Sequence, residues 1–235
     1  VLASGISLEC DIFVNASGPM LAEVGEMLGE TIPVSNSIHL KSIIEDSDEI
    51  VSRDAPLIIN ADAQKIVWSK NDIDLLNSDE ETNWLTETLP SGAHFRPEGG
   101  DDAKSLLILW DAKDQPSEAN FPVAINQFVS EIALRGLTPI VPKLGQYLER
   151  MNKPIIDGGY YTHTEENRPI ASPTNVNGSY VIGALSGYGI MASMGVAELV
   201  AAYITGSELP KYAPAFRLDR YQNKQYREKL SNWGN

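Results

Sequence analysis

The sequence predicts a mixed α+β and α/β fold, in which a mainly antiparallel sheet with helices is joined to part of an α/β layer. A chain of 235 residues with 43% hydrophobic residues can bury a core for one or two domains. Short apolar runs separated by acidic or Gly/Asp-rich turns fill its middle, as is typical of antiparallel sheets. Near each end, an apolar run leads through a small-residue turn into a helical pattern, which indicates α/β structure.

The first strand–turn–helix pattern lies near the start of the chain. Ile12, Phe13 and Val14 form an apolar run that continues into Asn-Ala-Ser-Gly-Pro, and residues 21–28 have helical spacing. Such a turn presents backbone amides to a phosphate in nucleotide-binding layers. It is also an ordinary strand-to-helix connection in many other folds. We assign residues 1–30 to part of an α/β layer.

The middle of the chain, residues 31–154, is predicted to form the antiparallel sheet and its helices. The apolar runs that predict strands are 38–44, 56–60, 66–68, 93–96 and 106–110. A polar loop over 111–120 separates them from two predicted helices, at 121–137 and 144–151.

Residues 155–235 return to an α/β pattern. Residues 181–185 predict a short strand, and the turn Ser-Gly-Tyr-Gly follows it. A helix is predicted over 190–205, ended by Gly206 as its C-cap. A glycine-rich turn at a helix amino end allows close backbone approach to an anion or a cofactor.

Charge and composition exclude several classes of function. Eighteen Lys and Arg against 32 Asp and Glu give a net charge of −14, which argues against nucleic acid and anionic membranes as partners. Cys10 is the only cysteine, and the three histidines are far apart, so no disulfide and no metal site are predicted. No apolar run reaches the roughly 18 residues of a membrane span. G-x-G-x-x-G, P-loop and G-x-S-x-G motifs are absent.

Three segments resemble one family of flavoproteins. DIFVNASGP at 11–19 resembles the VVNAAGP segment of FAD-dependent amine oxidoreductases of the D-amino-acid oxidase superfamily. GYYTHTEENRPI at 159–170 is similar to the family's Y-T-x-T-P-D-x-x-P-I element. At the family's spacing, YVIGALSGYGIMASMG at 180–195 resembles the flavin-capping turn and helix, G-x-S-G-H-G-F, of the sarcosine oxidase and dimethylglycine dehydrogenase branch.

The resemblance implies where FAD and the substrate bind. Residues 1–30 and 155–235 would form the FAD-binding layer, and 31–154 the substrate-binding domain. The residues expected near the adenosine and pyrophosphate are Ala16, Ser17 and Gly18. Those expected along the flavin ring are Gly183, Leu185, Ser186, Gly187, Tyr188, Gly189, Ile190 and Met191, whose amides and helix end would stabilise negative charge on the reduced flavin. Tyr161 falls where the family has an active-site tyrosine.

Several residues depart from the family's pattern. Gly159 stands where some relatives attach FAD through a cysteine, so we expect non-covalent FAD. Tyr188 replaces the family's histidine and does not titrate near neutral pH. Met191 replaces the lysine that binds the substrate carboxylate in sarcosine oxidases, and Glu165-Glu166 replace Pro-Asp. The motifs therefore do not identify the residue that binds the substrate carboxylate, which we call the anchor.

Four cationic or titrating residues elsewhere are candidates for that anchor. A guanidinium binds a carboxylate bidentately, which ranks Arg96 and Arg168 above Lys41 and His39. Arginines that precede a proline at a strand end are also commonly surface or structural residues.

The implied activity is oxidation of the C–N bond of a small amine or amino acid, with hydride transfer to FAD and hydrolysis of the imine. Because the chain enters the family's pattern after the G-x-G-x-x-G unit, we expect a C-terminal portion that binds FAD poorly without that N-terminal segment. We expect an intracellular location, in the cytoplasm or an organelle lumen. The alternative is a non-catalytic flavoprotein-like assembly or binding module that keeps the fold without turnover. This hypothesis predicts departures from the family's pattern such as those at 188 and 191.

Overall fold

The computed structural model of the protein describes residues 4–113, 115–150 and 152–230. It divides the chain into two compact units. Unit 1 comprises Val1–Ser37, Pro116–Ala119 and Tyr160–Asn235, and unit 2 comprises Ile38–Gln115 and Asn120–Gly159. Helices and sheets are mixed throughout, which confirms the predicted α+β fold class.

Strands and helices alternate irregularly along the described ranges. The strands are β1 (Phe13–Asn15), β2 (Ser35–Glu45), β3 (Ile58–Ile59), β4 (His94–Glu98), β5 (Ser105–Leu109), β6 (Ile155–His163), β7 (Ile170–Pro173) and β8 (Ser179–Gly183). The α-helices are α1 (Leu21–Met27), α2 (Lys70–Asn77), α3 (Val129–Leu137), α4 (Tyr147–Arg150), α5 (Gly189–Thr205) and α6 (Lys224–Leu230). Short 3₁₀ helices span Gly18–Met20, Asn83–Thr86, Pro142–Gln146, Ala213–Phe216 and Leu218–Gln222.

Unit 1 contains a three-stranded sheet in the order β1-β8-β7. β1 runs parallel to β8, with Val14 opposite Tyr180, and β7 runs antiparallel to β8. Ile170 and Val181 are fully buried and pack with Leu21 of α1. Apolar residues of α5, including Val196 and Leu199, form a second core cluster with Ala171 of β7. The sheet is therefore buried by helices from separate parts of the sequence.

Helix α5 begins and ends as its sequence predicts. Its alanine- and methionine-rich sequence favours helix because these residues lose little conformational freedom there. Gly206 adopts φ +67° and its N–H donates to the carbonyl of Ala202. This left-handed residue ends the helix and confirms the predicted C-cap.

Unit 2 is built on the five-stranded sheet, in the order β3-β4-β5-β2-β6. The β3/β4, β4/β5 and β5/β2 pairs are antiparallel, as the alternation of apolar runs and polar turns predicted. Phe95, Leu106 and Ile108 are almost completely buried and pack with Leu134 of α3. Strands β2 and β6 begin in one unit and end in the other.

Helix α3 packs so closely against the sheet's core that one position requires glycine. A Cβ atom at Gly136 would lie 2.4 Å from Cε3 of Trp110, far inside van der Waals contact. The indole N–H of Trp110 donates to the carbonyl of Pro90, which fixes the ring in place. The packing therefore depends on glycine despite its low helix propensity.

Two predicted helices and one predicted strand were wrong in extent or type. Residues 121–128 are not helical, because the Asn126 side chain accepts the N–H of Phe128 and α3 begins only at Val129. Residues 66–68 are not a strand, because a capping box between Ser69 and Asp72 begins α2 immediately after them. The helix predicted at 144–151 is divided between a 3₁₀ turn and α4 in the part the structure describes.

Among the described residues, no helix is long and apolar enough to cross a membrane.

Candidate functional site

The two turns predicted to bind the cofactor lie at the same edge of the unit 1 sheet. β1 and β8 are parallel neighbours, so their carboxyl ends lie side by side. The turn after β1 and the turn after β8 both leave from this edge, where ligands bind in open α/β sheets. A Cβ atom at Gly183 would lie 2.8 Å from Cδ2 of Leu21, so the end of β8 packs directly on the start of α1.

The turn after β1 is held by a buried asparagine. Asn15 is only 2% exposed, and its Nδ2 donates to the carbonyl of Leu21 at 3.0 Å. Its Oδ1 accepts the hydroxyl of Ser17 at 2.7 Å and the N–H of Ser17 at 3.3 Å. Gly18 has φ +59°, Ser17 and Gly18 are partly buried, and Ala16 is exposed. Asn15 was not predicted as a site residue, although it belongs to the motif at 11–19.

The turn after β8 contains three residues with left-handed backbone. Their φ angles are +56° at Ala184, +47° at Ser186 and +83° at Gly187. For residues with a Cβ this conformation costs about 1–2 kcal/mol, and it persists only where surrounding contacts require it. The N–H of Ser186 donates to the carbonyl of Thr162, and that of Tyr188 donates to the carbonyl of Leu185. Strained backbone held in this way is common at functional sites.

Tyr161 of β6 lies directly against this turn. A Cβ atom at Gly187 would lie 2.6 Å from Cε2 of the Tyr161 ring, so only glycine allows the ring its position. The ring is nevertheless 40% exposed. The structure thus brings together two residues that the sequence placed at one site from segments 26 residues apart.

The amino end of α5 follows the turn and presents apolar side chains to the outside. Tyr188, the residue before the helix, makes no side-chain cap, and the first backbone N–H groups of a helix have no partner within it. Ile190 and Met191 are 98% and 76% exposed, and Gly189 is partly buried. Leu185 packs against the α5 core cluster. No charged residue occurs between 184 and 197, so the helix dipole is the main fixed electrostatic feature of this segment.

Arg168 lies in unit 1, and its guanidinium contacts α6 of the same unit. Its Nη1 donates to the hydroxyl of Tyr226 in α6 at 3.3 Å, and the guanidinium lies 6.0 Å from the centre of that ring. Arg168 also closes a short loop, since its N–H donates to the hydroxyl of Thr164. The carbonyl of Arg168 accepts a hydrogen bond from Nη2 of Arg220 at 3.1 Å.

Glu166, in the segment 159–170, forms a buried ion pair with Arg220. Both side chains are 2% exposed and their closest atoms are 2.8 Å apart. The hydroxyls of Tyr226 and Tyr221 also donate to the Glu166 carboxylate. Burial, the largest influence, raises the pKa of Glu166, but hydrogen bonds from Tyr226, the backbone and Arg220 outweigh it and lower the pKa below its ordinary value. The pair fastens the C-terminal segment to the loop before β7.

The other three anchor candidates lie in unit 2 and each has an acidic partner. Arg96 of β4 pairs with Glu98 at 2.7 Å. On β2, His39 Nδ1 lies 2.7 Å from Asp111, and Lys41 lies 3.2 Å from Asp157. The described structure therefore places each of them in an ion pair or hydrogen bond, and their role as substrate contacts stays a prediction.

Asn36 and Thr162 are two polar residues near the turns that sequence reasoning did not select. Nδ2 of Asn36 donates to the carbonyl of Pro19, and the hydroxyl of Thr162 donates to Oδ1 of Asn36. Thr162 lies within the Y-T-x-T element, so this motif could have identified it. Asn36 lies in a polar stretch, Ser-Asn-Ser, that carries no motif.

Comparison with known proteins supports the fold. No protein-family model matches the chain, and no curated protein does. Among solved structures, L-proline dehydrogenase from P. horikoshii matches with a TM-score of 0.60 at 17% identity, over 90% of this chain and 47% of that one. Glycine oxidase from Geobacillus kaustophilus matches with 0.58 at 18%, over 90% and 46%.

A third structure, iminodiacetate oxidase from Chelativorans sp., has a TM-score of 0.61 at 12% identity, over 92% of this chain and 48% of that one. The chain thus spans about half the length of the solved proteins that it matches. These similarities establish that the chain shares the fold of part of a set of amine and amino-acid oxidases and dehydrogenases.

Proposed function

We propose that the chain is part of an FAD-dependent oxidoreductase that oxidises the C–N bond of a small amine or amino acid. The observation that carries this proposal is the turn at 184–188: it has strained backbone, it packs against Tyr161, and it shares a sheet edge with the turn at 16–18. FAD is proposed as the cofactor because the motifs at 11–19, 159–170 and 180–195 resemble those of FAD-dependent amine oxidoreductases. The shared fold with enzymes named for glycine, L-proline and iminodiacetate supports the substrate class.

The residues at this edge fit a flavin dinucleotide. There is no room for a side chain between Gly187 and the Tyr161 ring, so the backbone of the turn is in close contact with the ring. Ala184 and Ser186 in the same turn have positive φ angles. The absence of charged side chains from 184 to 197 leaves an apolar surface for an aromatic ring. Ala16, Ser17 and Gly18 would hold the pyrophosphate and adenosine side, and Leu185 to Met191 the ring.

When bound, FAD would supply the hydride acceptor for oxidation of the substrate C–N bond. The protein's own residues orient the substrate and stabilise charge rather than react covalently. The positive end of α5 would stabilise negative charge where its first turn meets the ring. Tyr161 would contact substrate or ring from the β6 side.

We propose that FAD is bound without a covalent link. Gly159 offers no thiol at the position where some members of the family form one. An added Cβ there would meet no atom within 4 Å, so space alone does not explain the glycine. The turn sequence at 184–190 favours the sarcosine oxidase and dimethylglycine dehydrogenase branch, and Met191 favours its dehydrogenases over its lysine-containing oxidases.

We also propose that a βαβ segment carrying G-x-G-x-x-G pairs with β1. In the described residues, β1 is an edge strand of a parallel pair, and parallel edges are normally covered. Phe13 and Val14 on this strand are more than one-third exposed. Ile190 and Met194 on α5 are 98% and 80% exposed, which is unusual for large apolar side chains on one helix. Such a segment would cover both surfaces and supply the pyrophosphate amides.

Anaerobic flavin spectroscopy tests the proposed function. FAD is added to the 235-residue chain and to the complete gene product, and glycine, sarcosine, L-proline and iminodiacetate are then added in turn. We expect the complete product to bind FAD and at least one substrate to bleach the flavin bands. Bound flavin that no amine reduces would instead support the non-catalytic binding module. Failure of both proteins to bind FAD would contradict the proposal.

A further inference from the structure

We infer that Asn36 is a positioning residue that couples the two turns of the candidate site. Asn36 is distant in sequence from both motifs, since it lies 17 residues after Pro19 and 126 before Thr162. Its side chain is nevertheless bonded to both. The inference rests on the proposed function only in calling the coupled surface a flavin site; the coupling itself concerns this chain's own residues.

Asn36 uses both ends of its amide. Nδ2 donates to the carbonyl of Pro19 at 2.9 Å, and Oδ1 accepts the hydroxyl of Thr162 at 2.7 Å. An amide is suited to this because it carries a donor and an acceptor on one planar group. Aspartate has no donor for the Pro19 carbonyl, and serine is too short to reach two partners in opposite directions.

The backbone of Asn36 is fixed independently of its side chain. Its carbonyl accepts the N–H of Ser117 at 2.7 Å, and Ser37 forms an isolated antiparallel bridge with Pro116. The amide therefore starts from an anchored strand, which reduces the conformational freedom lost in holding two partners.

Thr162 extends the connection to the second turn. Its hydroxyl donates to Asn36, and its own carbonyl accepts the N–H of Ser186, which has left-handed backbone. Thr162 is 8% exposed, so water competes little for these bonds. A continuous path thus runs from Pro19 through Asn36 and Thr162 to Ser186, linking the turn after β1 to the turn after β8.

This path explains how a strained turn can be held ready for a ligand. The Ser186 N–H is bonded to Thr162, whose hydroxyl is bonded to the side-chain amide of Asn36. The same Asn36 side chain is bonded to Pro19 in the turn after β1. We expect that releasing Asn36 loosens both turns together, although they are more than 160 residues apart in the sequence.

Amide hydrogen exchange on the ligand-free chain tests the coupling. In Asn36→Ala, exchange of segments 15–21 and 184–191 is expected to be about tenfold faster, the factor that loss of a net side-chain hydrogen bond produces. Asn126→Ala is the matched control, because the described bond of its side chain is to a local N–H, that of Phe128, in unit 2. It should leave both segments unchanged. Faster exchange at 15–21 alone would show a local cap and overturn the inference.

Variants of Thr162 keep the test decisive if Asn36→Ala does not fold. Thr162→Val preserves shape and removes the hydroxyl, whereas Thr162→Ser retains it. The valine variant should speed exchange at 15–21, away from its own position, and the serine variant should restore it. No change at 15–21 in Thr162→Val would overturn the coupling. If FAD binds the wild-type protein, Asn36→Ala should raise its Kd about tenfold; absence of FAD binding would contradict the proposed function and leave the exchange result valid.

Discussion

Substitution of Gly187 by alanine perturbs the candidate site at its tightest contact. The added Cβ would lie 2.6 Å from Cε2 and 3.1 Å from Cζ of Tyr161, where ordinary contacts exceed about 3.4 Å. The ring or the turn must move by most of an ångström, at a cost of about 1–3 kcal/mol for overpacking. The φ of +83° adds about 1 kcal/mol for a residue with a side chain.

The expected loss in the free energy of unfolding of Gly187→Ala is therefore about 2–4 kcal/mol. Gly206→Ala is the matched control, because its φ is +67° and an added Cβ meets nothing within 4 Å. It should lose only about 1 kcal/mol. Both are measured by urea denaturation, and FAD affinity is measured in parallel on the complete gene product.

A double-mutant cycle separates the steric part from the backbone part. Tyr161→Ala removes the ring, so in that background Gly187→Ala should cost no more than Gly206→Ala. Equal losses for Gly187→Ala and Gly206→Ala in the wild-type background would refute the contact between Tyr161 and the turn.

Two further predictions concern buried hydrogen-bonded groups. The lowered pKa of Glu166 stabilises the fold above its unfolded pKa, near 4.3, and this contribution is lost as pH falls through the lower folded pKa. Glu166→Gln should therefore cost about 3–5 kcal/mol at pH 7 and progressively less below pH about 4, measured by urea denaturation from pH 7 to 3. The exposed Glu165→Gln is the control, and a pH-independent cost would contradict the pairing. In unit 2, the Tyr147 hydroxyl donates to Asp46 and accepts the N–H of Asp48, and burial followed by the bond to Asp46 raises the pKa of Tyr147. Tyr147→Phe should lose about 1–3 kcal/mol and the exposed Tyr212→Phe nearly none; thermal denaturation giving equal losses would show that the bond to Asp46 is not stabilising.

The elements that could be predicted from sequence are those whose local pattern and tertiary role agree. β8 and α5 have an apolar run, a glycine turn and a glycine C-cap, and each feature indicates the same structure. The antiparallel sheet of unit 2 follows from the same agreement. Residues 121–128 had an apolar pattern that favoured helix, but the Asn126 side chain accepts the N–H of Phe128 and α3 begins only at Val129.

Strand β6 could not be predicted because two glycines interrupt its pattern. The structure gives one of them a reason: a Cβ at Gly158 would lie 2.6 Å from the carbonyl oxygen of His39. That requirement depends on the neighbouring strand and leaves no trace in the local sequence. α2, in contrast, carried a readable signal in Ser69 and Asp72, three residues apart.

The segments that the motifs select lie close together in the structure, whereas the bonds that connect them depend on tertiary partners. The motifs identified the turns at 16–18 and 184–188 and the tyrosine at 161. The structure brings the two turns to one sheet edge, and Tyr161 lies against Gly187 of the second turn. The bonds that Asn36 and Thr162 make between these segments join residues distant in sequence. A lone asparagine gives no sequence signal for such a role, because asparagine is common in ordinary loops.

A crystal structure of the complete gene product grown with FAD tests the central claim most directly. We predict density for the flavin ring along Leu185 to Met191, with Tyr161 beside it, and density for the pyrophosphate near Ser17 and Gly18. We also predict a strand paired with the open edge of β1. Flavin density away from both turns, or a β1 edge covered by a strand while the turns bind nothing, would contradict the account.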